Sequence, residues 1–250
     1  MISGRRPLVG GNWKMHKTAE QARAFCRELV GGLQDPAADI VLFPSHPLLP
    51  AVAAALDGAP VALGGQDVHP ADEGAHTGDV SAVQLLDAGC TWTLCGHSER
   101  RRDHTELDAL VAQKVVAARR HGLTPLVCVG ELLEERRAGS TFAVLERQLT
   151  AILDAAPDSF ELAYEPVWAI GTEETATPEQ AQEAHAFLRR TLESRLGTAA
   201  AARLRILYGG SVKPDNAAEL LAGPDVDGFL VGGASLDSAQ FLAIITACGP

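Results

Sequence analysis

The chain has 250 residues, 46% of them hydrophobic and 21% charged, with 24 Gly and 14 Pro, a composition that supports a folded core and excludes a disordered or collagen-like chain. Its 21 Lys and Arg against 32 Asp and Glu leave a formal charge of -11, the wrong sign for a nucleic-acid footprint or for attraction to an anionic membrane surface. An anionic ligand therefore needs a local cluster of donors to overcome the global field.

In chain order, short apolar runs at residues 8–10, 40–43, 61–63, 91–95, 126–129, 162–164, 205–208 and 228–231 read as eight strands. The stretches between them carry apolar residues at three- and four-residue spacing, as in Leu110, Val111, Lys114, Val115 and Ala118, or Ala181, Ala184, Phe187, Leu188 and Leu192, which is the pattern of amphipathic helices. Helix starts are expected at Thr177-Pro178-Glu179 and at Lys213-Pro214-Asp215. Strand–helix alternation implies a parallel sheet, and eight units in this length match a closed (β/α)8 barrel with outer helices. Gly10-Gly11-Asn12-Trp13-Lys14 after the first strand is not a dinucleotide-binding fingerprint, which argues against an open doubly wound sheet. Without a linker or composition shift, residues 1–250 read as one domain, with its site at the carboxyl ends of the strands.

Five cysteines, Cys26, Cys90, Cys95, Cys128 and Cys248, lack Cys-x-x-Cys spacing, so a disulfide framework and a zinc ribbon are both disfavoured and a reducing, cytoplasmic setting is expected. The stretch between Arg6 and Asn12 is too short for a signal-peptide core, and no uncharged apolar run reaches membrane-spanning length.

The strand exits collect Asn12 and Lys14, then Gln66, His97, Glu165, Gly209-Gly210-Ser211 and Gly232-Gly233. Taken singly, each has an ordinary reading: a paired carboxylate, a half-buried histidine, a surface lysine, tight βα turns. Together they bring a base, an imidazole, a cation and two glycine turns to one end of the barrel. Pro166 disfavours helix at Glu165 and stiffens that exit. The apolar run of residues 167–172, where a polar loop is expected, suits a water-excluding lid at about residues 166–176. The long loop at about residues 66–81 is of the kind that carries function. It holds His69, Asp72, Glu73 and His76, yet no zinc-type spacing, and no metal is expected.

Gly11-Asn12-Trp13-Lys14, the run 96–101 (GHSERR), the run 163–172 (AYEPVWAIGT), Tyr208-Gly209-Gly210-Ser211 and the run 230–235 (LVGGAS) resemble the triosephosphate isomerase family, in order and across nearly the whole chain. The resemblance implies a homodimer that interconverts dihydroxyacetone phosphate and D-glyceraldehyde 3-phosphate without cofactor or metal, in glycolysis and gluconeogenesis. It implies Glu165 as base, a neutral His97 and Asn12 as stabilisers of the enediolate, and Lys14 with the amides of Gly171, Ser211, Gly232 and Gly233 around the phosphate. Glu99, Cys128, Glu131 and Tyr208 fall at supporting positions, and Thr77 at the position that braces the partner's site. The chain departs from the family pattern at Glu173-Glu174, where Gly and Lys are usual, and at His76, Asp79 and Thr105, where an aromatic, Glu and Gly are usual. If Asp79 pairs with Arg100 as its counterpart does, it is one methylene short. Rival readings are an isomerase of a four-carbon ketose phosphate, a Schiff-base aldolase acting through Lys14, and a non-catalytic phosphate-binding barrel.

Overall fold

A computed structural model describes residues 5–156, 159–170 and 176–249. Gly171, Glu173 and Glu174 lie outside these residues. Eight parallel strands close on themselves in sequence order: β1 (Leu8–Asn12), β2 (Asp39–Phe43), β3 (Ala62–Gly65), β4 (Trp92–Cys95), β5 (Thr124–Val129), β6 (Glu161–Tyr164), β7 (Ile206–Tyr208) and β8 (Gly228–Val231). The last strand pairs with the first, Leu8 against Gly228 and Gly11 against Val231, so no edge is left unpaired. This is the expected (β/α)8 barrel.

Side chains alternate across the strands, as a pleat requires. Leu8, Val41, Phe43, Leu94, Leu126, Ala163, Leu207 and Leu230 fill the interior. Val9, Ile40, Leu42, Val127, Leu162, Ile206 and Phe229 face outward into the layer beneath the helices. Both faces of the sheet are thus buried, which is why the strands read as continuous apolar runs.

The outer layer is formed mainly by α1 (Ala19–Gly32), α2 (Leu49–Ala55), α3 (Ala82–Asp87), α4 (Ser98–Asp103), α5 (Asp108–Arg120), α6 (Leu133–Arg137), α7 (Thr141–Ala155), α8 (Pro178–Leu196), α9 (Thr198–Ala201), α10 (Ala217–Leu221) and α11 (Ser238–Thr246). Thr18 caps α1 and Thr177 caps α8, each closing a reciprocal box with the glutamine three residues on, and Pro178 opens α8 as its sequence predicts. The expected start at Lys213-Pro214 is corrected: α10 begins at Ala217. Asn216 explains the delay, because its side chain accepts from the Lys213 amide at 2.8 Å and donates to the Ser211 carbonyl at 3.1 Å, folding residues 211–216 into a turn instead.

Candidate active site

At the carboxyl end of the barrel, Asn12, Lys14, His97, Glu165, Ser211, Gly232 and Gly233 line one cavity of about 290 Å³. They arrive on the exits of five strands, the first, fourth, sixth, seventh and eighth, so closure of the barrel brings together residues from Asn12 to Gly233.

Glu165 leaves β6 with its backbone amide bonded to the Val129 carbonyl at 2.8 Å. A Cβ on Gly130 would stand 1.7 Å from the Glu165 carbonyl oxygen, so the exit from β5 must be glycine for Glu165 to sit where it does. The carboxylate is almost fully buried. One oxygen, Oε2, accepts from the Ser98 amide at 2.8 Å, and the other lies 2.9 Å from His97 Nε2. Burial favours the neutral acid, but His97, the Ser98 amide and Lys14 outweigh it and hold Glu165 below the usual carboxylate value. The carboxylate is therefore ionised.

His97 caps α4 with its ring: Nδ1 accepts from the Glu99 amide at 3.2 Å. A nitrogen that accepts a backbone N–H carries no proton, so in the neutral ring the proton is on Nε2, the atom that faces the cavity. Burial depresses the His97 pKa, while the neighbouring Glu165 carboxylate more than offsets that and raises it. That second influence lasts only while Glu165 rests against the ring.

Lys14 adopts a left-handed backbone, φ 52°, just past β1. Its amide donates to Asn12 Oδ1 at 3.0 Å, and Gln66 Nε2 grips its carbonyl at 2.8 Å and that of Phe43 at 2.9 Å. The first bond orients the Asn12 amide group, and its Nδ2 has no hydrogen-bond partner among the described residues. The Lys14 ammonium rests on Glu99 Oε1 at 2.7 Å. Glu99 is thus the counter-ion that holds Lys14, a role the charge balance of the chain alone does not reveal.

Two turns complete the cavity. After β7, a Cβ on Gly210 would lie 2.2 Å from the Tyr208 hydroxyl, so only glycine lets this turn approach. After β8, Ser235 Oγ donates to the Gly232 carbonyl at 2.7 Å and fixes the turn from below. Ile170, Lys213, Leu230 and Gln240 also line the cavity. Ile170 belongs to the apolar run read above as a lid and Leu230 to the run read as the eighth strand, whereas nothing in the local pattern of Lys213 and Gln240 sets them apart from surface residues.

The remaining predicted residues are not brought into the cavity. Cys128 is buried inside the barrel, and burial pushes its thiol well above the usual range, which fits packing and not nucleophilic attack. Tyr208 is buried beneath the Gly210 turn. Glu131 is fully buried and accepts from the Tyr164 hydroxyl at 3.1 Å and from Trp168 Nε1 at 2.9 Å, tying the start of the 166–176 segment to β5 and β6. Thr77 is exposed on the 66–81 loop, away from the cavity of its own chain. Arg100 pairs with Asp67 and Glu106, both at 2.8 Å, while Asp79 lies 3.9 Å from His69.

A family model described as triosephosphate isomerase matches residues 7–248. A protein of Xanthobacter flavus named triosephosphate isomerase is 51% identical over 251 residues, covering 100% of both chains. One of Thermus thermophilus with the same name is 49% identical, covering 98% of this chain and 100% of its own. Another, of Alkalilimnicola ehrlichii, is 51% identical with 98% and 100% covered.

Proposed function

The chain belongs to the triosephosphate isomerase family, and from that premise we propose how its residues interconvert dihydroxyacetone phosphate and D-glyceraldehyde 3-phosphate. One observation carries the assignment: an ionised carboxylate and an imidazole whose Nε2 faces it share a small cavity with an amide and an ammonium group. Glu165 removes a proton from the carbon beside the carbonyl and returns it to the neighbouring carbon while the hydroxyl proton passes from one oxygen to the other, so the aldose–ketose exchange needs no net proton. Before doing so it leaves the Ser98 amide and His97. The substrate oxygen then takes its place as acceptor of the Nε2 proton, with Asn12 Nδ2 as second donor to the enediolate.

Lys14 and the amides of Gly171, Ser211, Gly232 and Gly233 hold the phosphate at the far end of the cavity. Its binding energy offsets the cost of closing the lid at about residues 166–176, which keeps water from the intermediate. Pairing of Lys14 with Glu99 occupies the nitrogen that a Schiff base would require, which weighs against the aldolase reading.

We further infer a homodimer joined through the loop at about residues 66–81, with Thr77 bracing the partner's site, in the cytoplasm. Met15 supports this, since it is 92% exposed beside the site and Val83 and Leu86 on α3 are exposed with it. Among the described residues no helix is long and apolar enough to cross a membrane, and all five cysteines are buried thiols.

A coupled assay with D-glyceraldehyde 3-phosphate tests the assignment, run beside a four-carbon ketose phosphate at equal concentration. Triose turnover is expected to dominate, to vanish in Glu165→Gln, and to fall roughly a hundredfold in Glu165→Asp, which draws the base back by about 1 Å. Unchanged turnover in Glu165→Asp would dismiss Glu165 as the base, and faster four-carbon turnover would reassign the substrate.

A further inference from the structure

We propose that Lys213, on the turn after β7, is a recognition residue for the substrate phosphate, a mobile cation at the cavity that draws in the dianion before the inner donors hold it. This role rests on the triose phosphate reading above and adds a group to it. Among the described residues lining the cavity, the Lys, Arg, Asp and Glu side chains are Lys14, Glu165 and Lys213. Glu165 is ionised and repels an incoming phosphate. The Lys14 ammonium sits on Glu99 Oε1 at 2.7 Å, so its attraction at a distance is largely cancelled until the substrate displaces that partner. The chain has four lysines, and three have a partner: Lys14 has Glu99, Lys17 has the Leu236 carbonyl, and Lys114 has Asp67 and Glu106. Lys213 is exposed, and its ammonium has no partner among the described residues. In a chain of net charge -11, an uncompensated cation at the cavity locally reverses a field that otherwise opposes capture.

The backbone beneath this cation is fixed although its head is free. The Lys213 amide donates to Asn216 Oδ1 at 2.8 Å, its carbonyl accepts from the Ala217 amide at 3.1 Å, and Asn216 Nδ2 donates to the Ser211 carbonyl at 3.1 Å. Val212, between Ser211 and Lys213, is buried. One turn therefore holds both the Ser211 amide, assigned above to the phosphate, and the root of the Lys213 stem two residues on. The four-carbon stem lets the ammonium follow the ligand inward. Such a screened, exposed charge contributes to capture and not to the chemical step, so its removal is expressed in KM and depends on salt.

Steady-state kinetics of Lys213→Met with D-glyceraldehyde 3-phosphate are expected to show kcat/KM lowered about three- to tenfold at low ionic strength, with the loss in KM, and by less than about twofold at 0.5 M salt. Lys213→Arg should restore the parent value. Turnover of D-glyceraldehyde, which lacks the phosphate, should be the same in Lys213→Met as in the parent, whereas a damaged turn would slow both substrates. Arg203→Gln removes the same unit of charge just before β7, at the opposite end of the barrel, and should leave kcat/KM unchanged. Titration of the resting protein with inorganic phosphate, followed by phosphorus NMR, reads Lys213 without turnover and should show weaker binding in Lys213→Met. A parent chain inactive on the triose would overturn the catalytic reading, while the phosphate titration would still test the cation. Undiminished phosphate binding in Lys213→Met, a loss that Arg203→Gln reproduces, or a loss shared by D-glyceraldehyde would each overturn the proposal.

Discussion

Lys14 and Thr105 both hold a left-handed backbone, at φ 52° and 55°, and among the described residues side-chain hydrogen bonds brace Lys14 while none involves Thr105. For Lys14 the strain is met by Asn12, Gln66 and Glu99, which together fix the ammonium near the cavity. Thr105 is an exposed, β-branched residue just beyond α4, where the family usually has Gly. Its conformation costs about 1 kcal/mol or more relative to one a glycine adopts freely. Thr105→Gly is accordingly expected to stabilise the fold by about 1 kcal/mol, seen as a higher urea midpoint at unchanged slope. A lower midpoint would show that the threonine makes a compensating contribution.

Between elements, the decisive contact is a buried ionic cluster. Lys114 on α5 reaches Asp67 beyond β3 at 2.6 Å and Glu106 at 2.5 Å, and Arg100 on α4 joins both carboxylates. Burial opposes the charge on Glu106, but Lys114 and Arg100 outweigh it and hold its carboxyl below the usual glutamate value. The cluster ties the root of the 66–81 loop to the helix that carries His97 at its start. Removing one member leaves the others charged and buried, a loss of about 3–5 kcal/mol for a broken buried pair. Lys114→Met is expected to lower Tm by on the order of 10 °C in a chain of this size. A change within a degree or two would mean that water or a rearranged Arg100 replaces the lysine.

Over the whole molecule, two consequences follow from charge and burial. His185, fully buried between Tyr164 and Tyr208, donates from Nδ1 to the Asp225 carbonyl at 3.0 Å, and burial lowers its pKa to about 4. The unfolded chain takes up this proton near pH 6.5 and the folded chain only near 4, so stability falls as pH drops through that window and is fully present above it. The loss is on the order of 3 kcal/mol, and His185→Gln should flatten the fall of the urea midpoint between pH 6.5 and 4.5. The second consequence concerns the net charge of -11, which repels an anionic substrate. Glu173 and Glu174 add to that repulsion where the family usually has Gly and Lys, although both lie outside the described residues. Replacing them by Gly-Lys is expected to raise kcat/KM, and more so at low ionic strength. A gain independent of salt would trace the effect to lid stiffness instead.

The eight strands were legible because burial on both faces writes each as a continuous apolar run, and their alternation with 3.6-residue periodicity leaves only a parallel barrel of this length. Asn12, Lys14, His97, Glu165, Ser211 and Gly232-Gly233 were legible as cavity-lining residues because Gly, Pro and polar residues interrupt the apolar pattern at strand exits. Local pattern misled only where a side chain outcompeted it: Pro214 reads as a helix start, but Asn216 claims the Lys213 amide first. Contacts between residues distant in sequence were beyond such reading. Pairing of Lys14 with Glu99, the Lys114 cluster, the Glu131 anchor beneath Trp168 and the approach of Asp79 to His69 depend on closure of the barrel or on how one loop folds back. Composition and periodicity specify which face of an element is buried, and so the architecture; which charged group meets which is decided by three-dimensional distance, because Coulomb and hydrogen-bond energies fall away within a few ångströms.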